Sequence, residues 1–219
     1  MMYSYIFFDL DGTLTDPQEG ITKCIHYALE AFDMAPQSLE ELKKHIGPPL
    51  FSTFHDYYQM NEEDTKKAIE KYRERFSVVG LFENKVFSGI IPMLSKLKEH
   101  GKKLGVATSK PEVYTLRILE KFQLSPYFDV ICGSTLDGSR DAKADVIEET
   151  LRRFKLTQKD LEHVIMVGDR KQDVIGAKKC GIRSIGVRFG FAEKGELEEA
   201  GADYIVNTIE ELEDLILSL

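Results

Sequence analysis

The sequence predicts an α/β protein: a doubly wound parallel sheet with an all-helical unit inserted after its first strand. Three observations predict it. Six short apolar runs recur along the chain, at Tyr3–Phe8, Leu104–Ala107, Asp129–Cys132, Val164–Val167, Ser184–Val187 and Tyr204–Val206. Segments of helical periodicity separate them, and such alternation belongs to a parallel sheet covered on both faces. From Asp16 to Lys85 the alternation lapses, and helical pattern occurs with no convincing strand. The predicted division is therefore residues 1–15 with 86–219 as an α/β core, and residues 16–85 as a helical unit. A chain of 219 residues accommodates both, on a prior of roughly 150 residues per domain.

Each element has its own signal. Met1–Phe8 lacks a basic region and a long apolar run, so it reads as a core strand rather than a signal peptide. In the insertion, Gly20–Phe32 places Ile21, Ile25, Ala28, Leu29 and Phe32 on one face. Leu39–Ile46 reads as a short helix broken by Gly47-Pro48-Pro49. Asn61 can cap a helix through Phe76, with acids in its first turn and Ile69, Tyr72 and Phe76 facing inward. Back in the core, Ser88 can cap a helix that buries Ile90, Ile91, Leu94 and Leu97 and stops at Gly101. Pro111 suits a first helical turn, followed by Val113, Leu116, Leu119 and Phe122. Ala142–Phe154 repeats Val146, Ile147, Thr150, Leu151 and Phe154 at helical spacing. Gly181 is a plausible stop for the helix before it. Thr208 with Glu211 forms a capping-box pattern ahead of Leu212, Leu215, Ile216 and Leu219.

Composition narrows the partners. The chain is 42% hydrophobic and 30% charged, with a formal net charge of -8. An acidic balance argues against a nucleic acid polymer or an anionic membrane as partner, since both need a basic face. No run approaches the roughly 20 apolar residues of a membrane span. Cys24, Cys132 and Cys180 are odd in number and lack CxxC spacing, which fits reduced thiols in a cytoplasmic protein.

Four places carry chemistry. Phe8-Asp9-Leu10-Asp11-Gly12-Thr13 puts two carboxylates at a strand end, a costly pairing that a divalent cation relieves. Gly12 allows the tight turn. Thr108-Ser109-Lys110 offers hydroxyls and N–H groups ahead of a helix N-terminus, an anion site or an ordinary cap. Lys143 stands near a helix start, against the helix dipole. Gly168-Asp169-Arg170-Lys171-Gln172-Asp173 follows an apolar strand with two more acids, hard oxygen ligands that suit magnesium. Any one of these has an ordinary structural reading. Together they supply acids, hydroxyls and a cation at the ends of strands in one sheet, where open α/β sheets bind ligands.

DLDGTLT at Asp9–Thr15, VATSK at Val106–Lys110, Lys143, and GDRKQD at Gly168–Asp173 resemble the four motifs of the haloacid dehalogenase superfamily. The inserted helical unit resembles the cap of its phosphoglycolate phosphatase-like branch. Ala144 stands where a proline often follows the motif lysine. The resemblance implies a Rossmann-like core and a phosphatase acting on a small phosphorylated metabolite. It implies Asp9 as nucleophile, Asp11 as acid and base, and Gly12, Thr108, Ser109 and Lys143 around the phosphoryl group. It implies Mg2+ held by Asp9, the Asp11 backbone carbonyl and Asp169, with Asp173 at the edge of the metal site. Gly133–Asp145 and the insertion, with Lys43, Lys44, His45 and Gly47-Pro48-Pro49, are the substrate-choosing candidates. Phosphoglycolate and a nucleoside 5′-monophosphate both fit the branch. A phosphosugar mutase is the alternative, because it uses the same two acids; a non-catalytic scaffold is disfavoured by the filled catalytic positions.

Overall fold

The computed structural model describes residues 3–34 and 37–219. Within the predicted first strand, Met1 and Met2 lie outside them. The described chain forms two compact units, residues 1–15 with 86–219, and residues 16–85.

In the first unit, six strands form one sheet. They are β1 (Tyr5–Phe8), β4 (Lys103–Pro111), β5 (Val130–Ser134), β6 (Val164–Gly168), β7 (Arg183–Val187) and β8 (Tyr204–Val206). The order is β5-β4-β1-β6-β7-β8, and every pairing is parallel. Parallel pairing brings all carboxyl ends to one edge. β1 lies between β4 and β6, where the chain order reverses, so the crevice that opens there falls beside Asp9.

Helices cover both faces. α5 (Lys143–Arg153) packs on β4, β5 and α6 (Lys171–Lys179), while α3 (Ile90–Glu99) packs on α8 (Ile209–Ser218). α4 (Glu112–Lys121) lies against β4 and β5, and the short α7 (Glu196–Ala200) against α6. Alternation along β1 sends Phe7 to the α5–α6 side, into a cluster with Ala107, Cys132, Val146, Ile147 and Met166. Ile6 and Phe8 point the other way and are equally buried. Each such side chain contributes about 1.5–3 kcal/mol by leaving water. Phe154 stacks on Phe7 with centroids 5.5 Å apart. A side chain at Gly105 would put its Cβ 2.8 Å from the Phe154 ring, so the glycine sets how closely α5 approaches the sheet.

Several local expectations give way. Ser88 does not cap α3; its N-cap is Gly89 at φ 97°, a left-handed conformation that a serine would adopt only with strain. Ile91 is 39% exposed, and on α4 Val113 and Leu116 are 49% and 45% exposed. Thr115, Ile118 and Leu119 fill the buried face of α4 instead. Thr115 tolerates burial because its hydroxyl donates to the Pro111 carbonyl at 3.2 Å. Both polar caps hold: Asn61 accepts the Asp64 N–H, and Thr208 accepts the Glu211 N–H.

The helical unit contains α1 (Gln18–Glu30) and α2 (Glu62–Phe76), which pack on each other. Glu41–His45 is a 3-10 turn rather than an α-helix, and Ser52–Tyr57 is a π-helical turn that carried no start signal in the sequence. Thr15–Asp16 (β2) and Lys85–Val86 (β3) form a two-stranded ribbon that the sequence reading did not contain. Lys85 Nζ lies 3.2 Å from Asp16 Oδ2 across it. All three cysteines are free thiols, Cys24 and Cys132 buried and Cys180 half-buried. Among the described residues no helix is long and apolar enough to cross a membrane.

Candidate active site

The site is built at the carboxyl edge of β1, β4 and β6. Asp9 follows β1, and its N–H donates to the Val167 carbonyl at 2.9 Å, so the sheet fixes its backbone. Beyond it the chain wraps on the Leu10 carbonyl, which accepts the N–H groups of Thr13, Leu14 and Thr15. Gly12 takes φ 81°, and a Cβ there would meet Asp169 Oδ2 at 2.1 Å. The turn that follows Asp11 therefore needs glycine for both conformation and space.

Lys143 is the first residue of α5 and is 7% exposed. Its Nζ lies 2.8 Å from both Asp9 Oδ1 and Asp173 Oδ1 and donates to the Ala107 carbonyl at 3.2 Å. Burial alone would lower its pKa, but the Asp173 and Asp9 carboxylates outweigh that and raise it. The ammonium is thus a fixed charge that ties β1, β4 and α6 together.

Asp169 follows β6 and is fully buried. Thr13 Oγ1 donates to its Oδ1 at 3.3 Å and the Phe191 N–H to its Oδ2 at 2.8 Å. Asp173 lies in the first turn of α6 and accepts the Arg170 N–H at 3.1 Å. A Cβ at Gly168 would meet Asp173 Cγ at 2.1 Å, so glycine lets this acid fold back over the strand end. Burial, then Asp173 and Asp9, push Asp169 well above the ordinary carboxylate range. Burial also pushes Asp173 up, to about 6, against the pull of Lys143.

One carboxylate oxygen from each of Asp9, Asp169 and Asp173 lies within 4.8 Å of the others. Three buried acids around one point, two of them with raised pKa, repel one another. Hard oxygen donors in this arrangement fit a divalent cation such as magnesium, which would offset the repulsion. The cluster brings together Asp9 and Asp169 with Asp173, the acid expected at the edge of the metal site.

Asp11 points elsewhere. Its Oδ2 pairs with Lys110 Nζ at 2.7 Å, and its Oδ1 is buried with no hydrogen-bond partner among the described residues. Burial raises its pKa, with Lys110 pulling the other way. Thr108 is buried in β4, where the register with β5 shifts between Thr108 and Pro111, and its hydroxyl accepts the Lys110 N–H at 3.3 Å. Since Phe8 pairs with Val106, the register sets Thr108 and Ser109 alongside the Asp9–Asp11 turn.

Two parts of the site were missed in the sequence. Lys110 stood in the second motif without a role. Gly190 was not singled out, although a glycine soon after the strand Ser184–Val187 was a readable signal. A Cβ at Gly190 would lie 2.3 Å from the Gly12 carbonyl oxygen and 2.4 Å from Asp169 Cβ. In the helical unit, His45 is 5% exposed, packed against Tyr57 and Tyr58, with its pKa lowered to about 4 by burial and the Lys44 charge. It is a neutral packing residue, not an open cation. Lys43 pairs with Glu40 at 2.5 Å, and Lys44 Nζ sits 4.3 Å from the Tyr57 ring centre.

Known proteins share this architecture. The profile of the Haloacid dehalogenase-like hydrolase family matches residues 6–187. A Pseudomonas aeruginosa protein named 5'-nucleotidase is 43% identical over 197 residues, covering 90% of this chain and 88% of its own length. Tyrosine-protein kinase PtkA of Mycobacterium tuberculosis is 36% identical over 214 residues, 96% of this chain and 72% of its own. The crystal structure of a predicted phosphatase from Clostridium acetobutylicum superposes with a TM-score of 0.95 at 49% identity, covering 100% of both chains. With a family profile that spans the sheet from β1 to β7 and relatives that align with nearly the whole chain, the protein belongs to the haloacid dehalogenase-like hydrolase family, among its phosphatases.

Proposed function

We propose that the protein is a magnesium-dependent phosphomonoester hydrolase that works through an aspartyl-phosphate, with a nucleoside 5′-monophosphate as its first-choice substrate and phosphoglycolate as its second. The observation that carries the chemistry is the convergence of Asp9 with Asp169, Asp173 and Lys143. The 43% identical relative named 5'-nucleotidase supports the order of substrates.

An Asp9 oxygen attacks phosphorus, and the bond from phosphorus to the alkoxy oxygen breaks. Asp11 gives its proton to the leaving oxygen, then takes one from the water that attacks the aspartyl-phosphate. The bond from phosphorus to Asp9 breaks, phosphate leaves, and both carboxyl groups are restored. Lys143 holds Asp9 in place and sets a positive charge beside the transferring oxygens. The Thr108 hydroxyl and Ser109 hold a phosphoryl oxygen, and Gly12 keeps the turn open to it. Asp9, the Asp11 carbonyl and Asp169 would hold magnesium, with Asp173 at the edge; the ion supplies charge neutralisation for the phosphoryl group.

The test is phosphate release with magnesium over nucleoside monophosphates, phosphoglycolate, sugar phosphates and an aryl phosphate. We expect nucleoside 5′-monophosphates to lead, and Asp9→Asn to release no phosphate while its circular dichroism spectrum stays that of the parent. Magnesium-dependent hydrolysis by Asp9→Asn would remove the covalent mechanism. The relative named a tyrosine kinase supports a second reading, with a tyrosyl hydroxyl as acceptor. ATP with a tyrosine peptide separates the two, since a kinase labels the peptide faster than it releases phosphate.

A further inference from the structure

Asp169 is held by a loop, and that loop is held by one carboxylate. The Phe191 N–H donates to Asp169 Oδ2 at 2.8 Å, and Gly190 packs against Asp169 and the Gly12 carbonyl. Both residues sit between β7 and α7, where little regular structure fixes the backbone. Glu196, the first residue of α7, closes the segment at its far end. Its Oε1 accepts the Lys171 N–H at 2.8 Å and pairs with Arg170 Nε at 2.9 Å. Its Oε2 accepts the Glu193 N–H at 3.0 Å. The Arg170 and Glu196 side chains are only 8% and 7% exposed.

Arg170 also bridges the two acids of the fourth motif. It follows Asp169 directly, and its N–H donates to Asp173 Oδ2 at 3.1 Å. The Glu196 carboxylate therefore fixes, in one network, the loop that donates to Asp169 and the turn that donates to Asp173. A surface ion pair is worth little, since solvent screens it. This pair is nearly dry, its geometry is anchored by two backbone N–H groups, and it ends within one residue of a carboxylate in the cluster. Groups that orient metal ligands in this way typically change metal affinity about 10–100-fold when removed.

We propose that Glu196, through Arg170 and the 188–195 loop, is a positioning residue for the divalent-cation site. The inference rests on the metal-dependent reading given above. Glu196 touches neither substrate nor cation; it sets where Asp169 and Asp173 aim their oxygens.

The experiment measures Mg2+ affinity by titration calorimetry on the full-length protein, for the parent, Glu196→Ala and Glu196→Gln, alongside the melting temperature of the metal-free forms. We expect roughly a 10-fold or greater rise in Kd for Glu196→Ala. Glu196→Gln keeps one acceptor oxygen for the Lys171 or the Glu193 N–H but loses the second acceptor and the charge, so its Kd should fall between those of the parent and alanine forms. At saturating Mg2+, KM for the phosphoester should stay near the parent value. Should Glu196→Ala fail to fold, the glutamine form carries the test alone. A lowered melting temperature with unchanged Kd would make the pair a plain structural brace and overturn the proposal. A parent protein that binds neither Mg2+ nor Mn2+ would overturn the metal-dependent reading, and this inference with it.

Discussion

Asp11 lies two residues from Asp9 but has a different environment. Asp9 pairs with Lys143, in the cluster of acids, whereas Asp11 pairs with Lys110. Two chemically identical carboxyls can then serve different roles, one as nucleophile and one as proton carrier. Asp11→Asn isolates the second role. Asparagine keeps an oxygen for the Lys110 ammonium and leaves the backbone carbonyl in place, so fold and Mg2+ activation should persist. The expected result is a fall in kcat of at least about 100-fold, with the Mg2+ activation constant unchanged. A near-parent kcat would assign proton transfer to another group. The acids were legible because carboxylates at the ends of apolar strands are conspicuous. Lys110 and Gly190 were less so: a lysine is usually solvated, and the reason for the glycine is a close approach to Gly12 and Asp169 from a distant segment. Sequence spacing does not show such approaches.

At the scale of elements, strands buried on both faces were easy to read, because their apolar runs have no alternative explanation. Helices announced by a polar cap, as at Asn61 and Thr208, were also legible. The stretch from Glu41 to Tyr57 was not, since its 3-10 and π turns lack the period on which such reading depends. The Tyr58 N–H bonds back to the Thr53 carbonyl at 3.2 Å, five residues away, where an α-helix would reach four. His45 ends the 3-10 turn and is buried against the π turn through Tyr57 and Tyr58, so its protonation should report on this packing. Its pKa is lowered to about 4 in the folded state, against about 6.5 in an unfolded chain. Between these values the unfolded chain binds more protons, so stability is lost as pH falls from about 6.5 toward 4. The slope from this one group is at most about 1.4 kcal/mol per pH unit. His45→Gln, which does not titrate, should show a flatter fall across this window than the parent in urea titrations read by tyrosine fluorescence. Parallel curves for the two proteins would mean that the imidazole is as easily protonated when folded as when free.

For the molecule as a whole, the carboxylates of the cluster come from three places in the chain: the end of β1, the end of β6 and the first turn of α6. All lie in the unit formed by residues 1–15 and 86–219. In the unfolded chain Asp9 is far from Asp169 and Asp173, so a cation that needs all three binds the folded unit and stabilises it by mass action. At a concentration 100 times Kd that stabilisation is about 2.7 kcal/mol, or roughly 5–10 °C in melting temperature for a unit of this size. The same site destabilises the metal-free protein, because burial and mutual repulsion raise Asp169 and Asp173 above ordinary carboxylates. Chelation should therefore lower the melting temperature at pH 7.5, and Mg2+ should restore it. Asp169→Asn removes one ligand and part of the repulsion together. Its metal-free form should melt no lower than the metal-free parent, while its Mg2+ shift should vanish. An undiminished shift in Asp169→Asn would place the cation away from these three acids and break the link between their convergence and catalysis.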